Sequence, residues 1–197
     1  EGQQGAERMV RVEFTDGKKI LYDGEKGVER VVRVEYPNGA KHFFKGEKGA
    51  EQKVRIHFPN GEKHFFEGDQ GAMARAEYPN GEKHFFEGDV GAERKVRIHF
   101  PNGEKYFFEG QKGAERKVRI HFPNGIKHLF EGEKGSEHLV GLIDQDGIIF
   151  YYDPVKNDWV NHRNESNPDP ENDSKRLRTQ ALVGRIGPEY LGKMPIS

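Results

Sequence analysis

Val54-Arg55-Ile56-His57-Phe58-Pro59-Asn60-Gly61-Glu62-Lys63-His64-Phe65-Phe66-Glu67-Gly68 decides the fold, because the chain repeats it from near its start to about residue 153. The residue before each turn glycine marks the copies: Asp16, Asn38, Asn60, Asn80, Asn102, Asn124 and Asp146, spaced 22, 22, 20, 22, 22 and 22. Self-similarity at a fixed period of this length is the signature of a repeat array. Within one copy Val54, Ile56 and Phe58 alternate with Arg55 and His57, the period of a half-buried strand. Pro59 presets φ at about −65°, Asn60 accepts the bridge conformation and Gly61 supplies positive φ, the chemistry of a type I turn closed by a glycine bulge. Glu62 to Glu67 return as the second strand.

Two registers are open. With Pro59-Asn60-Gly61 as a three-residue loop, Phe58 faces Glu62, Ile56 faces His64 and Val54 faces Phe66. One side then carries Val54, Ile56, Phe58, His64 and Phe66, and the other Arg55, His57, Lys63 and Phe65. A two-residue Asn60-Gly61 turn would pair His57 with His64 and Ile56 with Phe65. The first is preferred because it gathers the apolar residues and uses proline where turns favour it.

Gly68-Asp69-Gln70-Gly71-Ala72, like Gly24-Glu25-Lys26-Gly27-Val28 and Gly110-Gln111-Lys112-Gly113-Ala114, is a second turn signal that starts the next hairpin. The expected fold is all-β: an elongated antiparallel meander of tandem hairpin repeats, a single-layer or rolled ribbon sheet, with an irregular C-terminal tail. Residues 1–153 form seven hairpins and 154–197 a linker and tail docking on the last repeats. The fourth copy is two residues short, with Ala74 and Ala76 for Val and Ile. An even deletion preserves alternation, and the array is expected to bend or narrow there. The first and seventh copies, Thr15-Asp16-Gly17 and Gln145-Asp146-Gly147, have lost the turn proline and read as caps.

Beyond Asp153-Pro154, Asn157 to Ser174 reads as a loop or mobile linker with Trp159 packing at the sheet end. Lys175 to Ile186 is read as a short strand or helix folding back on the last hairpins. Asn164 and Asn172 satisfy the glycosylation sequon, as chance hits in such a stretch.

Hydrophobic residues are 33% of the chain and charged residues also 33%, a polar balance that suits a thin sheet better than a thick core. Net charge is −1, which removes the simplest case for nucleic acid. There is no cysteine, so disulfides, thiolate metal sites and cysteine nucleophiles are excluded. The opening Glu1-Gly2-Gln3-Gln4 has neither an initiator Met nor a signal-like segment, as expected of a piece cut from a longer chain. With no cysteine, signal or membrane-spanning run visible, a cytoplasmic setting is favoured.

Histidines recur in register, His57, His99 and His121 on first strands and His42, His64, His84 and His128 on second strands. Rows of imidazole suit Zn²⁺ binding or pH sensing. Glu35, Glu77 and Tyr106 take their places elsewhere, which argues for ordinary amphipathic residues; no metal or cofactor is expected. Recurrent carboxylates such as Glu67, Glu87, Glu109 and Glu131 share one environment per copy, so nothing separates an acid from a base. No serine stands in a nucleophile elbow. The chain is not expected to be an enzyme.

Paired aromatics remain: Phe43-Phe44, Phe65-Phe66, Phe85-Phe86 and Phe107-Phe108. Successive strand residues face opposite sides, so Phe43, Phe65, Phe85 and Phe107 form an outer row flanked by Arg55, Arg97 and Arg119 and by Lys63, Lys83 and Lys105. Either neighbouring cationic stems cover those rings, or the row is an exposed stripe for a partner or for self-association.

Tyr36-Pro37-Asn38-Gly39 through Phe44-Lys45-Gly46, recurring as Phe58-Pro59-Asn60-Gly61 through Phe66-Glu67-Gly68, resembles the MORN repeat family over residues 1 to about 153. The chain lacks that family's later Gly-x-Gly and usual Trp. It is also similar to the centriolar G-box domain, whose Phe-Pro-Asn/Asp-Gly hairpins form a free-standing single sheet that binds a partner peptide. Both resemblances imply scaffolding or partner binding. The MORN resemblance adds dimerisation and membrane lipids, and neither supplies catalytic residues. The expected function is a non-catalytic scaffold binding protein, or itself, through the aromatic and basic face or an open edge. A carbohydrate- or phospholipid-headgroup-binding module is the alternative.

Overall fold

The computed structural model describes residues 5, 7–153 and 155–161. These hold fifteen strands and no helix, and the chain divides into two compact units, 1–101 and 102–197. The first unit contains β1 (Arg11–Glu13), β2 (Lys19–Asp23), β3 (Arg30–Glu35), β4 (Lys41–Lys45), β5 (Gln52–His57), β6 (Lys63–Glu67), β7 (Ala72–Glu77), β8 (Lys83–Glu87) and β9 (Arg94–His99). The second contains β10 (Lys105–Glu109), β11 (Arg116–His121), β12 (Lys127–Glu131), β13 (His138–Ile143), β14 (Ile149–Asp153) and β15 (Asp158–Asn161). Within each unit every strand pairs antiparallel with the next in sequence.

The three-residue loop sets the hairpin register. Ile56 lies opposite His64 and His57 opposite Lys63. Phe58 N–H donates to the Glu62 carbonyl at 2.9 Å and Gly61 N–H to the Phe58 carbonyl at 3.0 Å. Asn60 Oδ1 accepts the Glu62 N–H at 3.0 Å, and Gly61 has φ 89°. A Cβ at Gly39 would lie 3.2 Å from Pro59 Cγ, so the glycine that closes one turn also makes room for the next proline.

Between hairpins the ladder carries a feature the alternation does not reveal. Phe43 faces Arg55 but Phe44 faces Lys53, leaving Val54 as the extra residue of a β-bulge. The same shift leaves Val32, Ala74, Val96, Val118 and Val140 extra in the other inter-hairpin pairings. Between β5 and β6 the ladder runs from His57 opposite Lys63 to Arg55 opposite Phe65, and toward β7 Phe66 pairs with Met73.

Beside each bulge a glutamate joins neighbouring repeats. Glu51 accepts the Val31 N–H at 3.0 Å and the Gly49 N–H at 2.9 Å, so one carboxylate closes its own Gly-x-x-Gly turn and caps the preceding bulge. Glu29 and Glu137 make the same two contacts. Lys48 Nζ adds a bond to the Gly27 carbonyl at 2.8 Å.

The fourth repeat breaks this pattern without losing register. β7 has six residues like β5 and β9, and Glu67 faces Ala72 as Glu87 faces Arg94. The two lost residues thus correspond to Ala92 and Glu93, and the clamp glutamate goes with them. Its turn tightens instead, with Gly71 N–H bonded to the Gly68 carbonyl at 3.0 Å.

The core of the first unit is one residue deep. Val34, Ile56, Ala76 and Ile98 are buried, each opposite a histidine or next to one along the row, since His42 faces Val34 and Ile56, His64 faces Ile56 and Ala76, and His84 faces Ala76 and Ile98. The second unit is thicker: Ile120, Phe130, Leu139, Leu142 and Phe150 form a buried cluster with Tyr106, Phe122, Ile148 and Trp159 against it. Here apolar side chains replace the histidine of the outer rows.

Residues 158–161 correct the sequence reading. They lie in the stretch expected to be a linker, yet form β15, with Trp159 opposite Tyr152 and the two rings T-shaped at 5.8 Å. The seventh hairpin is therefore not the last strand. A hydrogen bond from Tyr152 Oη to Asn157 Oδ1, at 2.5 Å, helps fix the connecting turn. The sequons and the tail expected to dock on the last hairpins lie outside the described residues.

Candidate functional site

Directly opposed residues of an antiparallel ladder share a face, so the pairings trace rows across the sheet. In the first unit one row runs Arg11, Leu21, Arg33, Phe43, Arg55, Phe65, Arg75, Phe85, Arg97, and beside it runs Glu13, Lys19, Glu35, Lys41, His57, Lys63, Glu77, Lys83, His99. These two rows hold nine cations against three carboxylates, a bias that the near-neutral net charge conceals. Within the second unit the corresponding rows are Phe107, Arg119, Leu129, Gly141, Tyr151 and Lys105, His121, Lys127, Ile143, Ile149.

The rings of Phe43, Phe65, Phe85 and Phe107 are half-buried, each beneath a guanidinium from the following repeat. The Cζ-to-ring distances are 4.3 Å for Arg55 on Phe43, 4.1 Å for Arg75 on Phe65, 4.3 Å for Arg97 on Phe85 and 4.5 Å for Arg119 on Phe107. Where a histidine occupies the second row it packs on the same ring: His57 on Phe43 at 4.8 Å, His99 on Phe85 at 4.7 Å and His121 on Phe107 at 4.5 Å. Phe43, Phe65, Phe85 and Phe107 are therefore covered by neighbouring cations, the first of the two arrangements open to the sequence.

The exchange of histidine for glutamate then sorts the cations. Glu35 pairs with Arg33 at 3.0 Å, and Glu77 with Arg75 at 3.4 Å and Lys83 at 3.7 Å. Arg55, Arg97 and Arg119 stand in repeats that carry His57, His99 and His121 instead. Among the described residues no ion pair or hydrogen bond takes up those three guanidiniums, and their Nε atoms are closed off from solvent. Lys63 and Lys105 are exposed and likewise outside any ion pair among the described residues.

The local potential registers on the histidines. Burial, followed by the charges of Arg55, Lys63 and Lys41 and opposed only by Glu77, holds His57 below the usual imidazole range. His121 is lowered by burial and by Arg119, Lys127 and Lys105. The result is a neutral imidazole inside a triangle of uncompensated cations in each unit, an arrangement suited to anions.

His42, His64, His84 and His128 lie on the opposite face, packed on Tyr36, Phe58, Tyr78 and Phe122 at 4.5–4.8 Å. The sequence-aligned histidines are thus split between two sides, and no cluster of three metal-ligating side chains occurs among the described residues. That face also carries a hollow of about 340 Å³ beside the shortened repeat, lined by Glu67–Gln70, Ala72–Ala74, Phe86 and Gly88–Val90. No family model matches the chain, and no curated protein is significantly similar to it.

Proposed function

We propose that this chain is a non-enzymatic β-repeat scaffold that binds acidic segments of partner proteins through its arginine-aromatic face. The observation that supports the reading most is the set of guanidiniums of Arg55, Arg97 and Arg119, each 4.3–4.5 Å from a phenylalanine ring centre and lacking a carboxylate partner among the described residues. A stacked guanidinium is preorganised, so little side-chain entropy remains to be lost when a carboxylate arrives. The MORN-like and G-box-like hairpins agree with partner binding. The face suits this role better than an edge, since β1 has three residues and β15 four, short templates for strand addition.

The same cations suit the phosphate of a phospholipid headgroup, the second reading. Peptide-display selection on the wild-type chain and on the Arg55→Gln/Arg97→Gln/Arg119→Gln variant separates them, with phosphatidylserine vesicles and neutral glycans as parallel ligands. Enrichment of acidic peptides by the wild type alone supports the proposal. Variant-sensitive vesicle binding with no peptide enrichment supports the headgroup reading, and selection indifferent to the variant rejects both.

A further inference from the structure

In two repeats the chain covers its own inner-face phenylalanine with a lysine thirteen residues earlier. Lys53 Nζ lies 4.5 Å from the centre of the Phe66 ring, and Lys117 Nζ 4.2 Å from that of Phe130. Lys53 is the residue across the bulge from Phe44, and the residue in that place before Phe86 is Met73, across from Phe66. The ring of Phe86 thus has a thioether where Phe66 and Phe130 have an ammonium.

The rim has lost a cation as well. Glu87 pairs with Arg94 at 3.2 Å and Glu109 with Arg116 at 3.6 Å, but Glu67 faces Ala72. No ion pair joins Glu67, Asp69 or Asp89 to any described residue. With Ala74 in place of valine, these changes open the hollow of about 340 Å³ whose lining residues include Phe86, Met73 and Ala74 together with Glu67, Asp69 and Asp89.

Other repeats do not combine these features. Met9 and Val31 also replace the lysine, but Arg8 and Arg30 both remain at 3.7 Å from Asp23. Leu139 is buried in the core of the second unit.

We propose that this hollow receives a lysine side chain of a partner polypeptide, its stem along Met73 and Ala74 and its ammonium over the Phe86 ring, facing Glu67, Asp69 and Asp89. The intramolecular pairs of Lys53 with Phe66 and Lys117 with Phe130 specify the ligand chemistry: an unbranched aliphatic stem ending in a cation, held by the ring quadrupole. This site lies on the face opposite Arg55 and Arg97 and stands independently of the acidic-partner reading.

The test is NMR titration of the chain carrying ¹³C-methyl alanine, with Nα-acetyl-lysine amide as probe and Nα-acetyl-norleucine amide as its uncharged counterpart. A saturable shift of the Ala74 methyl with the lysine probe, and a much smaller one with norleucine, is expected. Met73→Lys supplies the chain's own cation, as in the third repeat, and is expected to weaken binding about tenfold or more while keeping the fold. Glu67→Gln is expected to weaken it several-fold through the lost rim charge, roughly the scale of one surface ion pair. An unmoved Ala74 methyl, equal shifts with norleucine, or undiminished binding by the Met73→Lys variant would overturn the proposal.

Discussion

Arg97 holds its guanidinium carbon 4.3 Å from the centre of the Phe85 ring, directly across the ladder from it. Because Phe85 ends one hairpin and Arg97 begins the next, the contact ties neighbouring repeats while shaping the outer face. Binding and repeat cohesion therefore depend on the same residues.

That dual role separates two substitutions. Arg97→Met keeps a long stem over Phe85 and removes the charge, so it should cost about 0.5–1 kcal/mol, the range for a partly exposed cation–π contact. Arg97→Ala loses the stem packing as well and should cost more. Urea midpoints measure both; equal costs would show that the stem adds nothing beyond the charge, and a costless Arg97→Met that the charge adds nothing to the packing.

His128 makes the second unit acid-sensitive. Burial first, and Lys117 second, push it down to about 4 from 6.5, so between those values the unfolded chain binds a proton that the folded chain refuses. Stability from this residue is complete above about pH 6.5 and falls as pH drops toward 4, by roughly 3 kcal/mol in all. The seventh repeat has Phe150 at the equivalent place, so His128→Phe should remove much of the acid sensitivity. Denaturation of both forms from pH 7 to pH 4 tests this.

The two glycines of a Gly-x-x-Gly turn should differ. Gly46 has φ 117° and an added Cβ would lie 2.5 Å from the Ala50 carbonyl oxygen, whereas Gly49 has φ 81° and open space around it. Gly49→Ala meets the left-handed backbone cost alone, about 1–2 kcal/mol. Gly46→Ala adds a backbone collision and should lower the thermal midpoint clearly further.

Acidic ligands should bind more tightly as pH falls. Burial keeps His57 neutral, and the cations Arg55, Lys63 and Lys41 add to this. A bound carboxylate offsets those charges and raises the pKa, so binding takes up a proton and affinity grows as pH falls through the range in which His57 protonates. Calorimetry in buffers of different ionisation enthalpy detects that uptake, and His57→Phe should reduce it.

The turns made the meander legible in the sequence. Pro59-Asn60-Gly61 admits few conformations, and the period-2 pattern then assigns Arg55 and Phe65 to one side and Ile56 to the other. Bulges were hidden because Lys53 and Val54 both read as ordinary strand residues. The clamp glutamate had a signal, its recurrence as Glu29, Glu51, Glu93, Glu115 and Glu137 two residues after a Gly-x-x-Gly, missing after Gly71, but the role needs the neighbouring strand to be in place. β15 escaped because four residues among Asn and Asp carry too little pattern. The arginines of the outer row were picked out correctly as neighbours of the aromatics. Which of them would lack a carboxylate partner turns on Glu35 and Glu77, two residues beyond Arg33 and Arg75 on the same strand and face, where the other repeats have His57, His99 and His121.

The Nε atoms of Arg55, Arg97 and Arg119 are buried, and their resonances give the most direct test of the face. Their ¹⁵N resonances can be followed during titration with an oligoglutamate peptide and with its oligoglutamine counterpart. Saturable shifts of these three are expected with oligoglutamate, diminishing with added salt and smaller at the glutamate-paired Arg33 and Arg75. Unchanged Nε resonances at Arg55, Arg97 and Arg119, with shifts elsewhere or equal shifts for oligoglutamine, would contradict binding through this face.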